Sequence, residues 1–181
     1  VNNAGVSHRN RPLMEVEETE FDRVFAVNVK SIYHMTRATV PLMRAQGAGV
    51  VVNIGSTGAI RPRPGLTWYN GSKGAVSVLS KSMAVELAPD RIRVNCLAPV
   101  IGETALLETF MGVADTPENR AKFTATIPLG RLSTRRHLLN PLATGCKASP
   151  TPCFDGCCRT LRRNLILKSF GGYATRYLGL R

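Results

Sequence analysis

The sequence predicts an α/β domain built on part of a doubly wound parallel sheet, and three observations carry that prediction. Two short apolar runs, Val50 to Ile54 and Ile92 to Ala98, read as buried strands. Between them Tyr69 to Ala88 (YNGSKGAVSVLSKSMAVELA) has helical spacing, and another helical run, Thr19 to Arg44, precedes the first strand. A serine, Ser56, stands just past the end of the first strand, where open α/β sheets bind ligands.

The elements follow in order. Val1-Asn2-Asn3-Ala4-Gly5 has the small residues and glycine that let a backbone approach a ligand closely. Thr19, with Asp22 three residues on, is the expected start of the first helix. Phe21, Val24, Phe25, Val27, Ile32 and Met35 form its apolar face, and Asn28 interrupts that face. An amide buried there must be satisfied or cost about 1–3 kcal/mol. His34 has no partner spacing and is expected at a surface or interface. Gly47 to Gly49 turns the chain into the strand Val50–Ile54. Arg61-Pro62-Arg63-Pro64-Gly65 is too rigid and polar for the interior of an element. Gly71, Ser72, Gly74 and Ala75 let the next helix pack closely, and Pro89-Asp90 is expected to stop it. Cys96 in the second strand is read as a small hydrophobe.

The chemistry is concentrated in one stretch. Ser56 precedes Tyr69 by thirteen residues, and Lys73 follows Tyr69 by four, one helical turn on the same face. An ammonium close to a phenol favours its ionised form, so a tyrosine tuned that way can exchange protons with an alcohol or carbonyl near neutral pH. A bare Tyr-x-x-x-Lys also arises by chance, as a solvated lysine beside a half-buried aromatic. The serine after the strand makes the set a candidate carbonyl–alcohol redox site.

The stretch Ile54 to Lys73 (IGSTGAIRPRPGLTWYNGSK) resembles the active site of the short-chain dehydrogenase/reductase family. NNAG at 2–5, FAVNVKS around Asn28 and the Pro99…Thr104 loop resemble that family in the same order. The resemblance covers residues 1 to about 134 and implies a Rossmann-like fold with NAD or NADP as cofactor. It implies catalytic roles for Asn28, Ser56, Tyr69 and Lys73. Ser56 would bind the substrate oxygen and Tyr69 would exchange the proton. Lys73 would lower the tyrosine pKa and grip the nicotinamide ribose, and Asn28 would hold a proton-relaying water. Cofactor contacts are implied at Asn3, Ala4, Gly5, Ile54, Tyr69, Lys73, Pro99, Val100, Ile101 and Thr104. Val100 stands where the family usually has glycine, a variant similar to that of some sugar and cyclic-alcohol dehydrogenases. Leu106 to Ala125 resembles a substrate lid of two short helices split near Asp115-Thr116-Pro117, and Ile127 to Ser133 the hinge after it. The implied reaction interconverts a secondary alcohol and a ketone of small size, in a family whose intact members are expected to be homo-oligomers.

Composition bounds these readings. The chain has no run of eighteen apolar residues and no visible signal peptide, so a cytoplasmic protein without a membrane span is expected. It opens at Val1 inside a motif, which reads as a truncation lacking the front strands, the Gly-rich turn and the residue that selects NAD or NADP. Residues 1–134 carry a net charge of +4 and residues 135–181 a net +8, so a seam is placed near Thr134. The first part reads as the back of a dehydrogenase domain. The second reads as a basic tail, irregular because Pro141, Gly145, Pro150 and Pro152 break any docking helix. Faint family echoes with shifted spacing, such as Cys153-Phe154-Asp155-Gly156, suggest a disturbed reading frame. Cys146, Cys153, Cys157 and Cys158 lack the paired couplets of a zinc site, so neither a metal nor a disulfide framework is expected. Two alternatives stay open: an inactive fragment, and a nucleic-acid or anionic-surface binder using RTLRRNLILK and the +12 net charge. No known nucleic-acid-binding motif supports the latter.

Overall fold

The computed structural model describes residues 1–127 and 130–134. The expected irregular tail, its cysteines and its basic stretch lie outside the described residues, as do Pro128 and Leu129 of the hinge.

The long first helix is three consecutive pieces: α1 (Glu18–Phe25), a π-helical turn (Ala26–Lys30) and α2 (Ser31–Ala45). It does not begin with a Thr19 cap. Glu17, in extended conformation, precedes the first turn, and no side chain caps it. The Glu17 carbonyl instead accepts from the Glu20 and Phe21 amides at 3.0 and 3.1 Å. Glu18 and Glu20 add negative charge at the positive end of the helix dipole. The apolar face is also narrower than the spacing predicts. Val24, Ile32 and Val40 are buried, but Met35 is 46% exposed among the described residues. His34 is exposed, beside Tyr33.

The π turn is where the long helix serves the site. A π turn inserts a residue into the helical register and recurs at functional positions. Here it accompanies a buried Asn28, whose side-chain amide makes three hydrogen bonds. Its Oδ1 accepts from the Val6 amide at 2.8 Å, and its Nδ2 donates to the Val6 carbonyl and to Ser72 Oγ, both at 2.9 Å. One side chain therefore ties the opening segment to the helix that follows the first strand.

β1 (Gly49–Ile54) and β2 (Ile92–Leu97) pair in parallel, with Gly49 opposite Ile92 and Ile54 opposite Leu97. α3 (Thr67–Glu86) makes the crossover between them. It ends at Glu86, slightly before the predicted Pro89 stop, because Leu87 turns inward to the core. On the other edge of β1, Asn2 forms a parallel bridge with Asn53: the Asn2 amide donates to the Val52 carbonyl at 2.8 Å, and the Ile54 amide to the Asn2 carbonyl at 3.0 Å. Val51, Val94, Ile92, Val40 and Leu87 form the core between the strands and helices α2 and α3. The fully buried Asn53 interrupts it harmlessly, because its amide accepts from Asn2 Nδ2 and donates to Ser80 Oγ at 2.8 and 2.9 Å. Cys96 is only half-buried, 4.0 Å from Ser77 Oγ, at the outer end of its strand.

The two short helices expected after β2 are present as α4 (Leu107–Met111) and α5 (Pro117–Ala125). Thr116 caps α5 by accepting from the Asn119 amide, with Pro117 at the first helical position. Ser133 then returns to the loop after β2. Its amide donates to the Ile101 carbonyl at 2.9 Å, and its carbonyl accepts from Glu103 at 3.1 Å. Among the described residues, no helix is long and apolar enough to cross a membrane.

Candidate active site

β1 and β2 end side by side, and their C-terminal ends open into a cleft of about 280 Å3. Past Ile54 the chain turns. The Gly55 amide donates to the Leu97 carbonyl at 2.7 Å and the Thr57 amide to the Pro99 carbonyl at 3.0 Å, which locks the two strand ends together. Ser56 lies between them in extended conformation, and its Oγ accepts from the Gly58 amide at 3.0 Å. Tyr69 and Lys73 reach the same cleft from the first turns of α3.

Gly5 lies close behind Lys73 and Asn28, where a side chain would crowd the lysine. A Cβ there would sit 3.3 Å from Lys73 Nζ and 3.6 Å from Asn28 Oδ1. Of the residues picked out in the sequence, Asn3, Gly5, Ile54, Ser56, Tyr69, Lys73, Pro99, Val100, Ile101 and Thr104 line the cleft. Ala4 and Asn28 do not. Ala4 is exposed between its two lining neighbours, and Asn28 is buried behind Gly5.

The electrostatics differ from the expectation drawn from Tyr69–Lys73 spacing. Burial raises the Tyr69 phenol above the ordinary tyrosine value, and its hydrogen-bonding interaction with the Ser56 side chain pulls the other way. Burial also lowers the Lys73 ammonium, opposed by the charge of nearby Cys96. Lys73 Nζ donates to the Ile54 carbonyl at 2.8 Å and stands 5.9 Å from the centre of the Tyr69 ring. Its bond is thus to the strand end, while Leu66 and Phe110 pack on the phenol and dry it. Desolvation disfavours both charged forms and outweighs the lysine's pull on the tyrosine.

Those directions fix a pH dependence of stability. Lys73 titrates in the folded chain below its ordinary value of 10.5. Between that lowered value and 10.5 the unfolded chain holds a proton that the native chain lacks, so this group makes stability rise with pH. Tyr69 titrates above its ordinary 10.0, so above pH 10 the unfolded chain loses its proton first and stability falls. Urea unfolding midpoints across this alkaline range should show the rise disappear in Lys73→Met and the fall disappear in Tyr69→Phe. Identical profiles in wild type and variants would contradict the burial argument.

Several lining residues were not singled out in the sequence. Leu66 and Phe110 form the apolar wall, Phe110 meeting the Tyr69 ring edge-on at 5.1 Å. Arg61, Arg63 and Asn70 add polar groups. The two arginines were legible only as part of a rigid loop. Asn10 fixes that loop to α4. Its Nδ2 donates to the Phe110 carbonyl at 3.0 Å and the Pro64 carbonyl at 3.3 Å, while its amide donates to the Thr109 carbonyl at 2.9 Å. Gly65, at φ +75°, permits this, since any Cβ there would collide with the Asn10 side chain.

The family model for short chain dehydrogenases matches residues 1–111. The chain belongs to the short-chain dehydrogenase family. Within this family it is 51% identical over 133 residues to a 4-formylbenzenesulfonate dehydrogenase of Comamonas testosteroni, covering 74% of this chain and 53% of that protein. It is 40% identical over 136 residues to a 2-(R)-hydroxypropyl-CoM dehydrogenase of Xanthobacter autotrophicus, again 74% of this chain and 53% of the relative. The chain thus spans about half the length of these relatives. Among solved short-chain dehydrogenase folds, it is similar to a 3-ketoacyl-(acyl-carrier-protein) reductase of Brucella melitensis complexed with NADH. The TM-score is 0.73 at 45% identity, over 81% of this chain and 58% of that one. The described residues thus form part of a Rossmann-like α/β sheet.

Proposed function

We propose that this chain carries the catalytic part of an oxidoreductase that uses NAD or NADP to interconvert a secondary alcohol and a ketone. The observation that carries the reading is the convergence of Ser56, Tyr69 and Lys73 on one cleft at the C-terminal ends of β1 and β2. The Comamonas relative is named for a formyl compound, and the Brucella structure holds NADH. Both accord with carbonyl chemistry on a nicotinamide cofactor.

The residues present fit such a cofactor. Gly5 lines the cleft without a side chain to crowd Lys73, and Ser133 pins the loop Pro99–Thr104, which also lines it. Asn3, Gly5, Ile54, Lys73, Pro99, Val100, Ile101 and Thr104 would hold it. When bound, the nicotinamide supplies hydride exchange with the substrate carbon.

The chain's own groups handle the oxygen and the proton. Ser56 Oγ accepts from the Gly58 amide and keeps its own hydroxyl proton, which can rotate between the Tyr69 oxygen and a substrate oxygen. Tyr69, whose ordinary value of 10.0 is raised further by burial, holds its proton near neutral pH and can donate it to a carbonyl oxygen in the reductive direction. In the oxidative direction it must accept a proton, and the Lys73 ammonium is the nearby charge that favours the phenolate. Asn28 is a positioning residue. Both Nδ2 hydrogens are committed to Val6 and Ser72, so any water it holds must use its remaining oxygen lone pairs or its backbone. The exposed apolar side chains of α2 and α3, including Tyr33, Met35, Val78 and Val85, suit a homo-oligomer of the whole protein.

The test joins the chain to the front strands of the Comamonas relative and follows reduced nicotinamide by absorbance with secondary alcohols. Turnover is expected, and Ser56→Ala should lower kcat by about 10²–10³-fold, the effect of removing one donor to a reacting oxygen. A folded chimera that binds cofactor yet gives no turnover would overturn the proposal.

A further inference from the structure

We propose that the cleft takes a substrate bearing an anionic group, a sulfonate or carboxylate, which Arg63 and Arg61 hold on the lid side. This rests on reading the cleft as the substrate site. Among the described residues three cations line it, Arg61, Arg63 and Lys73, and no carboxylate does. Lys73 lies at the strand ends, bonded to the Ile54 carbonyl, and is assigned to the reaction. Arg63 has no such assignment, and Arg61 lies two residues before it in the same loop.

Arg63 is half-buried, and its guanidinium stands 4.7 Å over the ring of Phe123 in α5. The ion pairs seen among the described residues join Arg11 to Glu20, Arg44 to Asp90 and Arg120 to Asp115, so none of them neutralises it. Burial pulls its pKa down, the sign of a cation partly stripped of water. A planar guanidinium held this way offers a fork of donors matched to two oxygens of one oxyanion.

The loop that carries the arginines is held in place before any ligand arrives. The Arg61 amide donates to the Thr57 carbonyl at 2.8 Å, and the Arg63 carbonyl accepts from Asn70 Nδ2 at 3.0 Å. Pro62 and Pro64 stiffen the chain on either side of Arg63. Such preorganisation lowers the ordering cost of binding. In the same cleft, Leu66, Phe110 and the Tyr69 ring pack into one apolar cluster, against which Phe123, the ring under Arg63, also packs. That arrangement suits a flat hydrocarbon or aromatic body with the oxyanion at one end and the reacting carbonyl at Ser56 and Tyr69.

The test is calorimetric titration of the 181-residue chain with three aldehydes: 4-formylbenzenesulfonate, 4-formylbenzoate and the neutral 4-(methylsulfonyl)benzaldehyde. At about 0.15 M salt both anions should bind roughly tenfold or more tighter than the neutral sulfone, as expected for charge-assisted hydrogen bonds. Arg63→Gln should remove most of that preference, Arg63→Lys should restore part of it, and Arg61→Gln with Arg63→Gln should abolish it. Circular dichroism of each variant checks folding. Equal binding of anion and sulfone, absence of binding by all three, or a preference that survives the double substitution overturns the proposal. Tyr69→Phe must keep the preference. Failure of the chimera to turn over, with the anion preference intact, would count against the redox reading and leave the anion site standing.

Discussion

Tyr69→Phe is expected to lower kcat of the chain joined to family front strands by about 10²–10⁴-fold, the usual contribution of a positioned general acid–base. The substitution removes one hydroxyl and keeps the ring. That ring packs on Leu66 and meets Phe110 at 5.1 Å, contacts that phenylalanine preserves. Ser56 keeps its bond from the Gly58 amide. The apolar wall and the serine donor are thus retained, so KM and the thermal midpoint should move little while kcat falls. Steady-state kinetics and a melting curve on the same preparation separate the two effects. Retention of more than about a tenth of wild-type kcat would remove Tyr69 from the proton-transfer role.

Asn28→Ala should produce the largest loss of stability of any single substitution proposed for this chain. It deletes three hydrogen bonds at once and strands the Val6 amide, the Val6 carbonyl and one interaction of Ser72. An unsatisfied buried polar group costs about 1–3 kcal/mol, so the sum should reach a few kcal/mol, reduced wherever water can enter. The loss should be local before it is global. Val6 follows directly on Gly5, so the opening segment should loosen and the floor of the cleft with it. Urea unfolding with hydrogen exchange at the Val6 amide reads both. An unchanged midpoint with full protection at Val6 would show that the Asn28 network does not hold that segment.

These two residues illustrate how differently the sequence speaks about neighbouring parts of one site. Tyr69, Lys73 and Ser56 were legible because their relation is local. A helix fixes where residues four apart point, and a strand's end fixes where the next polar residue lies. Asn28 was legible as an anomaly in an apolar helical face, but its partners Val6 and Ser72 are 22 and 44 residues away. No spacing rule names them, and the π turn that accompanies its burial leaves no mark in the pattern. Local signals also misled where a second element had to cooperate. Thr19 has the type of a helix cap, yet the backbone of Glu17 meets the first amides. Met35 has the periodicity of a core residue, yet it is 46% exposed.

The sequence by itself determined the alternation of strands and helices, the parallel pair they build, and the order of Ser56, Tyr69 and Lys73 along it. All of these follow from hydrophobic period and from backbone geometry over a few residues. The tertiary structure alone decided which way the site's charges shift and which cations share the cleft. Lys73 could favour the Tyr69 phenolate on spacing alone, but Phe110 and Leu66 close over the ring, and the cost of desolvating a charge then outweighs that attraction. Arg63 is a loop residue in the sequence. It becomes a wall of the cleft because Asn10 ties its loop to α4 and Phe123 of α5 packs under its guanidinium. Dehydration depends on what arrives from far along the chain, and that is a property of the fold.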